Sequence, residues 1–253
     1  MSRRYGVVYG VNLLSASKKS CSWSCVYCQL GTTDRRAGHP DSADPSALRA
    51  RLEATELQCT PSALVVCGSG EPTTHPRLDD ALAALTEFRD DRLPGVPVVL
   101  LTNGGELHKS QVRQALRRVD EVSVKLDAGL CETLHKLNQP TGPACVYHQA
   151  RMIRKLHGAA VQSCFLTGAL TNTSEPEVEA WLAALRFAMP NRVDCYTITR
   201  ATACSRLEAV PERWLASLAA RVEGELGIHA RAFGASGLIA ECGSAREREA
   251  LRE

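Results

Sequence analysis

Three thiols stand close together near the amino terminus: Cys21, Cys25 and Cys28, spaced Cys-x-x-x-Cys-x-x-Cys. Thiolates are soft ligands, and a [4Fe–4S] cubane normally takes one on each of its irons. No second cysteine group at matching spacing follows, so the triplet would hold three irons and leave the fourth free for a ligand that is not protein. An open iron points to chemistry rather than to a structural staple. The flanking Ser22, Trp23 and Ser24 suit a tight loop whose backbone amides donate to cluster sulfurs, which raises the reduction potential. The competing reading is a tetrahedral zinc site, for which the nearest fourth ligand in sequence is His39.

A second group of candidates lies along Glu121–Leu126, an apolar run in which Ser123, Lys125 and Asp127 alternate and so share a face. Polar side chains on one inner face of such a strand are costly unless they pair or touch a ligand. Lys125 and Asp127 are expected either to line a pocket or to form an ion pair at its rim. Arg200, after the run Tyr196-Thr197-Ile198-Thr199, is placed to bind a carboxylate or phosphate. His39, His75 and His135 are candidate proton carriers, and Cys131 a candidate hydrogen donor in a loop. The Arg35-Arg36 pair follows the cysteines closely, where a phosphate-bearing substrate would approach.

These residues need a frame. Short apolar runs recur at Tyr9–Leu13, Ala63–Cys67, Val96–Leu101, Glu121–Leu126, Val161–Leu166 and Arg192–Ile198. They read as strands covered on both faces, with room for a helix between each pair. Helical faces are expected after Pro45 (Leu48, Leu52), after Pro76 (Leu78, Leu82, Leu85), over Val112–Val119, over Val146–Ile153, and from Pro211 through Val222. Ser174 and Glu177 fit a capping box ahead of Val178, Trp181, Leu182 and Leu185. Six β-α units predict an α/β fold, a partial (βα)6 barrel of parallel strands, whose functional residues sit at the carboxyl ends of the strands. The expected division is a barrel over residues 1–226 and a C-terminal extension over 227–253, a short helix or a cap.

A chain of 253 residues with 44% hydrophobic content can bury one sizeable core. It contains no run of about eighteen apolar residues, and Met1-Ser2-Arg3-Arg4 is not followed by an apolar signal core, so a cytoplasmic protein without membrane insertion is expected. The other eight of the 11 cysteines then read as small buried apolar side chains, with convergence of Cys195, Cys204 and Cys242 as a lesser alternative. A net charge of +2 argues against a protein that is mainly a nucleic-acid binder.

The cysteine triplet with Tyr27 before its last member resembles the signature of the radical S-adenosylmethionine (radical SAM) superfamily. Gly10-Val11-Asn12-Leu13-Leu14, the run from Cys25 to Gly31, and Gly68-Ser69-Gly70-Glu71-Pro72-Thr73 with His75-Pro76 look similar to its wybutosine-synthesizing-like branch. The resemblance implies a [4Fe–4S] cluster on Cys21, Cys25 and Cys28 and S-adenosylmethionine on the open iron, cleaved reductively to a 5′-deoxyadenosyl radical that abstracts hydrogen from substrate. It implies that Gly70 and Glu71 receive the cofactor's amino group, with Ser69 where the motif usually shows glycine. By the same resemblance Tyr27, Thr102 and Asn103 lie on the cofactor side; Ser123 is expected there from the strand alternation, and Lys125, Asp127 and Arg200, from their positions in the chain, on the catalytic side. An external one-electron reductant such as flavodoxin or ferredoxin is implied as partner, and a small molecule, an RNA nucleoside or a partner protein as substrate. Two further ideas follow from likeness: a pyruvate Schiff base on Lys125, and an activating enzyme that installs a glycyl radical on another protein.

Overall fold

The computed structural model describes residues 2–14, 18–34, 42–235 and 237–242. Arg35, Arg36, His39, the tail from 243 onward and the side chain of Cys242 lie outside the described residues. The strands are β1 (Val8–Val11), β2 (Ala63–Val66), β3 (Val98–Thr102), β4 (Glu121–Lys125), β5 (Ala160–Gly168), β6 (Arg192–Thr197), β7 (Leu207–Ala209), β8 (His229–Gly234) and β9 (Gly237–Cys242). The helices are α1 (Pro45–Glu53), α2 (Leu78–Arg92), α3 (Ser110–Ala115), α4 (Cys131–Asn138), α5 (Val146–Arg154), α6 (Glu175–Ala188) and α7 (Glu212–Leu226). β1 to β6 pair in chain order, all parallel, and β8 adds to β6 in parallel. β9 turns back antiparallel on β8, and among the described residues the path β1 to β9 does not close on itself.

Period-two alternation divides each strand between two environments. Leu64 and Val66 of β2 enter the large core beneath α1 and α2, whereas Ala63 and Val65 face a smaller lumen cluster with Val99, Tyr5 and Leu101. α2 shows the outer half of this packing: Leu78, Ala81, Leu82, Leu85 and Phe88 are buried at helical spacing.

From β4 to β8 the lumen turns polar. Lys125, Gln162, Asp194 and Arg231 occupy one row of the register from β4 to β8. Asp194 is fully buried and accepts from Arg231 Nε at 2.9 Å and Arg192 Nε at 3.0 Å, while Arg192 also grips Glu121 through both terminal nitrogens at 2.6 and 2.9 Å. Burial alone would raise the Asp194 carboxyl, but the hydrogen bonds and charges of Arg231 and Arg192 outweigh it and hold it below its ordinary range. Tyr5 closes the same layer by donating to Glu121 Oε1 at 2.6 Å.

Four expectations are corrected. Cys131 does not lie in a loop but opens α4. Ser174 is the N-cap of α6 without a side-chain capping bond, and Glu177 instead accepts from the amides of Gly129 and Leu130 and from Thr133 Oγ1. A carboxylate buried at 3% exposure satisfies three donors of the β4–α4 turn in place of its own helix end. The helix expected over Val112–Val119 is α-helical only to Ala115 and tightens into a 3₁₀ turn at Leu116–Arg118. The segment after Gly227 forms the β8–β9 hairpin rather than a helix, because the buried Ala230 and Ala232 alternate along β8 into the core that holds Leu215, Leu218 and Val222 of α7.

Candidate active site

The cysteine loop follows β1 and is clamped from two sides. On one side Ser20 lies against the turn after β2: its amide donates to Ser69 O at 2.7 Å and its carbonyl accepts from Glu71 N at 2.9 Å. The approach is so close that a Cβ on Gly70 would stand 1.5 Å from Ser20 O, and Gly70 has φ +155°. Only glycine fits there. Asn12, at the end of β1, donates to Ser69 Oγ at 2.9 Å and accepts from Ser69 N at 3.2 Å, which explains a serine in a position where glycine is usual.

On the other side lies a strap made of α4 and the turn after it. Val26 N donates to Leu137 O at 2.9 Å, Ser24 N to Asn138 O at 3.1 Å, and Thr141 N to Ser22 O at 2.9 Å. Asp127, 1% exposed, anchors this junction: one oxygen accepts from the Tyr27 hydroxyl and from Asn138 Nδ2 at 2.7 Å, the other from Cys164 N at 2.8 Å. The aromatic residue before the third cysteine is thus tied to the end of β4.

Cys21, Cys25 and Cys28 line one cavity of about 240 Å³ with Gly70, Glu71, Thr102, Asn103, Lys125 and Tyr27. Donors surround the sulfurs: Trp23 N stands 3.4 Å from Cys21 Sγ, Asn103 Nδ2 3.6 Å from the same sulfur, and Asn138 Nδ2 3.4 Å from Cys25 Sγ. Burial pushes the Cys21 thiol up to about 12, with Glu71 adding to it, and burial likewise raises Cys25. Thiols so placed ionise only against a metal's charge. Among the described residues no three His, Cys, Asp or Glu side chains gather around a single ion. Three thiols leave a closed four-ligand zinc shell one ligand short, whereas in a cluster each sulfur takes its own iron and one iron stays open.

Glu71 spans the rim. Its Oε1 accepts from Thr73 N at 3.1 Å, from Thr73 Oγ1 and from Thr102 Oγ1 at 2.6 Å, whereas among the described residues Oε2 accepts from Asn103 N alone, also at 2.6 Å. Burial raises this carboxyl and those four donors counter it without reversing the shift. Lys125 Nζ donates to the Tyr196 hydroxyl at 3.1 Å, lies 3.7 Å from Asp127, and sits over the Tyr27 ring at 5.2 Å. Burial would lower its pKa, but Asp127 and then Tyr196 prevail and raise it well above the ordinary lysine range. The ion pair weighed for Lys125 and Asp127 is therefore present, and Lys125 faces the cavity as an ammonium.

The remaining candidates are less central. Ser123 is fully buried, its hydroxyl has no hydrogen-bond partner among the described residues, and it does not line the cysteine cavity. Arg200 is exposed, donates to Gln29 at 3.1 Å, and lines an adjoining cavity of about 270 Å³ with Arg4, Tyr27 and Tyr196. His75 uses both ring nitrogens structurally, on Ala43 O at 2.9 Å and Arg77 N at 3.0 Å, and His135 binds Ala144 O. Cys195 is in the main core and Cys204 in a separate small cluster, so these two do not converge. Sequence reasoning missed Asn138, Asn12, Gln162 and Tyr196. Asn138 ends a helix that was not foreseen, while Tyr196 shares the alternation of Arg192 and Asp194 and was open to the argument used for Lys125.

A model of the radical SAM superfamily matches residues 18–185, and the chain belongs to that superfamily. Enzymes of that superfamily use a [4Fe–4S] cluster with S-adenosylmethionine. Among its relatives, a UPF0026 protein of Synechocystis is 34% identical over 55% of this chain and 50% of its own length. A UPF0026 protein of Helicobacter pylori is 32% identical over 55% of this chain and 44% of its own. The match thus spans about half of each relative. Similar solved structures include SuiB of Streptococcus suis bound to precursor peptide SuiA, with TM-score 0.59, 13% identity, and coverage of 88% of this chain and 46% of that one. TYW1 with a lysine–pyruvate adduct bound gives TM-score 0.59 and 11% identity, over 86% of this chain and 74% of that one. At such identities the likeness is one of fold. Among the described residues no helix is long and apolar enough to cross a membrane.

Proposed function

We propose that Cys21, Cys25 and Cys28 hold the cluster, that S-adenosylmethionine lies along Gly70–Glu71 and Thr102–Asn103, and that the substrate is a small molecule or an RNA nucleoside. The observation that carries this is the single cavity shared by the three thiols, the glycine turn and the Thr102-Asn103 rim. A reduced cluster held by these thiols would supply the electron for reductive cleavage of S-adenosylmethionine. An external one-electron donor of the flavodoxin or ferredoxin type serves as reductant.

The protein's own residues do the rest. Trp23 N, Asn103 Nδ2 and Asn138 Nδ2 stabilise negative charge on the sulfurs. Glu71 Oε2, with one donor among the described residues, keeps acceptor capacity for an ammonium, and the Gly70 turn lets the chain approach closely. The Lys125 ammonium holds a carboxylate or a ribose oxygen in the cavity, positioned by Asp127 and Tyr196. Arg200 and Arg4, for which the described residues supply no carboxylate partner, attract an anionic part of the substrate in the adjoining cavity.

The test is a substrate search by deuterium transfer into 5′-deoxyadenosine, run on anaerobically reconstituted protein. Transfer from a labelled small molecule or RNA supports the proposal. A glycyl-radical signal appearing in a second protein, with no such transfer, overturns it in favour of activation.

A further inference from the structure

Outside the candidate site, two exposed cysteines meet. Cys131 Sγ lies 3.2 Å from Cys145 Sγ, and both side chains are solvent-exposed. Exposed free cysteines gain nothing from packing, so burial does not explain the pair. A disulfide needs the sulfurs at about 2.05 Å, so closing by roughly 1.2 Å joins them. Cys131 is the first residue of α4 and Cys145 the N-cap of α5. Amide N–H groups at helix starts favour a thiolate. Cys145 is held below the ordinary thiol range by the hydrogen bond from Cys131 first, then by the His148 and Tyr147 amides. It also lines a cavity of about 670 Å³ with Trp23, Pro140, Thr141 and His148, through which a small disulfide has access.

The chain between the two cysteines is the strap that clamps the cluster loop. It contains Leu137 and Asn138, whose carbonyls receive Val26 N and Ser24 N, and Asn138 Nδ2, which lies beside Cys25 Sγ. A covalent bond across its ends would restrain its opening.

We propose that Cys131 and Cys145 are a redox-active thiol pair, oxidised by exchange with a low-molecular-weight disulfide, and that the resulting bridge tightens the strap on the cluster loop. In the first step the Cys145 thiolate attacks one sulfur of the small disulfide; that S–S bond breaks, and one small thiolate leaves. In the second, the Cys131 thiolate attacks Cys145 Sγ and expels the other small thiolate. Two protein thiols are oxidised, one small disulfide is reduced to two thiols, and these take up the two protons.

The test treats anaerobic reconstituted holoenzyme with oxidised glutathione, followed by thiol blocking, intact mass and peptide mapping. The expected result is loss of two hydrogens, reversed by dithiothreitol, with residues 131 and 145 in one linked peptide pair. Cys131→Ser and Cys145→Ser should each carry one stable glutathione on the remaining thiol. The bridged protein should lose its cluster to a chelator roughly tenfold more slowly than the reduced one, a difference absent in Cys131→Ser. Stable glutathionylation of the wild type without a bridge, or a bridge mapping to other cysteines, overturns the pair. Equal chelation rates for bridged and reduced protein overturn its action on the strap.

Discussion

Gly70→Ala is the sharpest perturbation of the cluster loop. The added methyl would sit 1.5 Å from Ser20 O, whereas real Cβ contacts essentially never fall below 3.0 Å, so Ser20 and Gly70 must part by about 1.5 Å. That displacement breaks the Ser20 N to Ser69 O and Glu71 N to Ser20 O hydrogen bonds, now 2.7 and 2.9 Å. Each is worth about 1 kcal/mol net. Forcing alanine into positive φ adds roughly 1–2 kcal/mol. The loop should therefore lose about 3–4 kcal/mol of anchoring, a factor of a hundred or more in the population that presents Cys21 to the cluster. Iron and sulfide content and visible absorbance after anaerobic reconstitution are the assay. Gly10→Ala is the control, since nothing lies within 4 Å of its Cβ position. Gly70→Ala that loads a full cluster and cleaves the cofactor at the wild-type rate would refute the role assigned to this turn.

Three further outcomes are expected. Asp127→Asn turns an amide toward Tyr27 and Asn138 or toward the Cys164 amide, and leaves the buried Lys125 ammonium without its counter-charge; it should cost about 3–5 kcal/mol, read as a fall in Tm of roughly 10 °C with weaker cluster loading. Asp194→Asn should cost a similar amount above about pH 4. The native carboxyl's pKa is depressed by Arg231 and Arg192, so its contribution is present above the unfolded value and is lost as pH falls through the lower folded one; the wild type should show an acid limb that the variant lacks in urea titrations at successive pH. Because Lys125 is held as an ammonium, borohydride reduction in the presence of pyruvate should leave no adduct by mass spectrometry, and a Lys125 adduct would contradict that assignment.

The parallel strands were legible because each is short, apolar and covered on both faces, as in Ala63-Leu64-Val65-Val66. The cysteine triplet and the glycine turn were legible because ligand spacing and close backbone approach restrict residue type more than packing does. α4 was harder to foresee: its eight residues, Cys131–Asn138, bury only Leu134, Leu137 and Asn138, a stripe too short to stand out. Missing that helix also hid Asn138 and the clamp on the cysteine loop. The β8–β9 hairpin was missed because His229-Ala230-Arg231-Ala232 carries alanine rather than β-branched residues in its buried positions; α7 packs there, and the strand is specified by its neighbours. Asn12 and Ser69 are far apart in sequence, so their pairing required the fold.

The central claim is that three thiols hold a cubane with one iron left for the cofactor. Anaerobic reconstitution with iron and sulfide, then reduction with S-adenosylmethionine present, should give about four irons per chain and 5′-deoxyadenosine, both lost in Cys21→Ala, Cys25→Ala and Cys28→Ala. A colourless protein that takes up zinc, or a loaded cluster that leaves the cofactor intact, would contradict it.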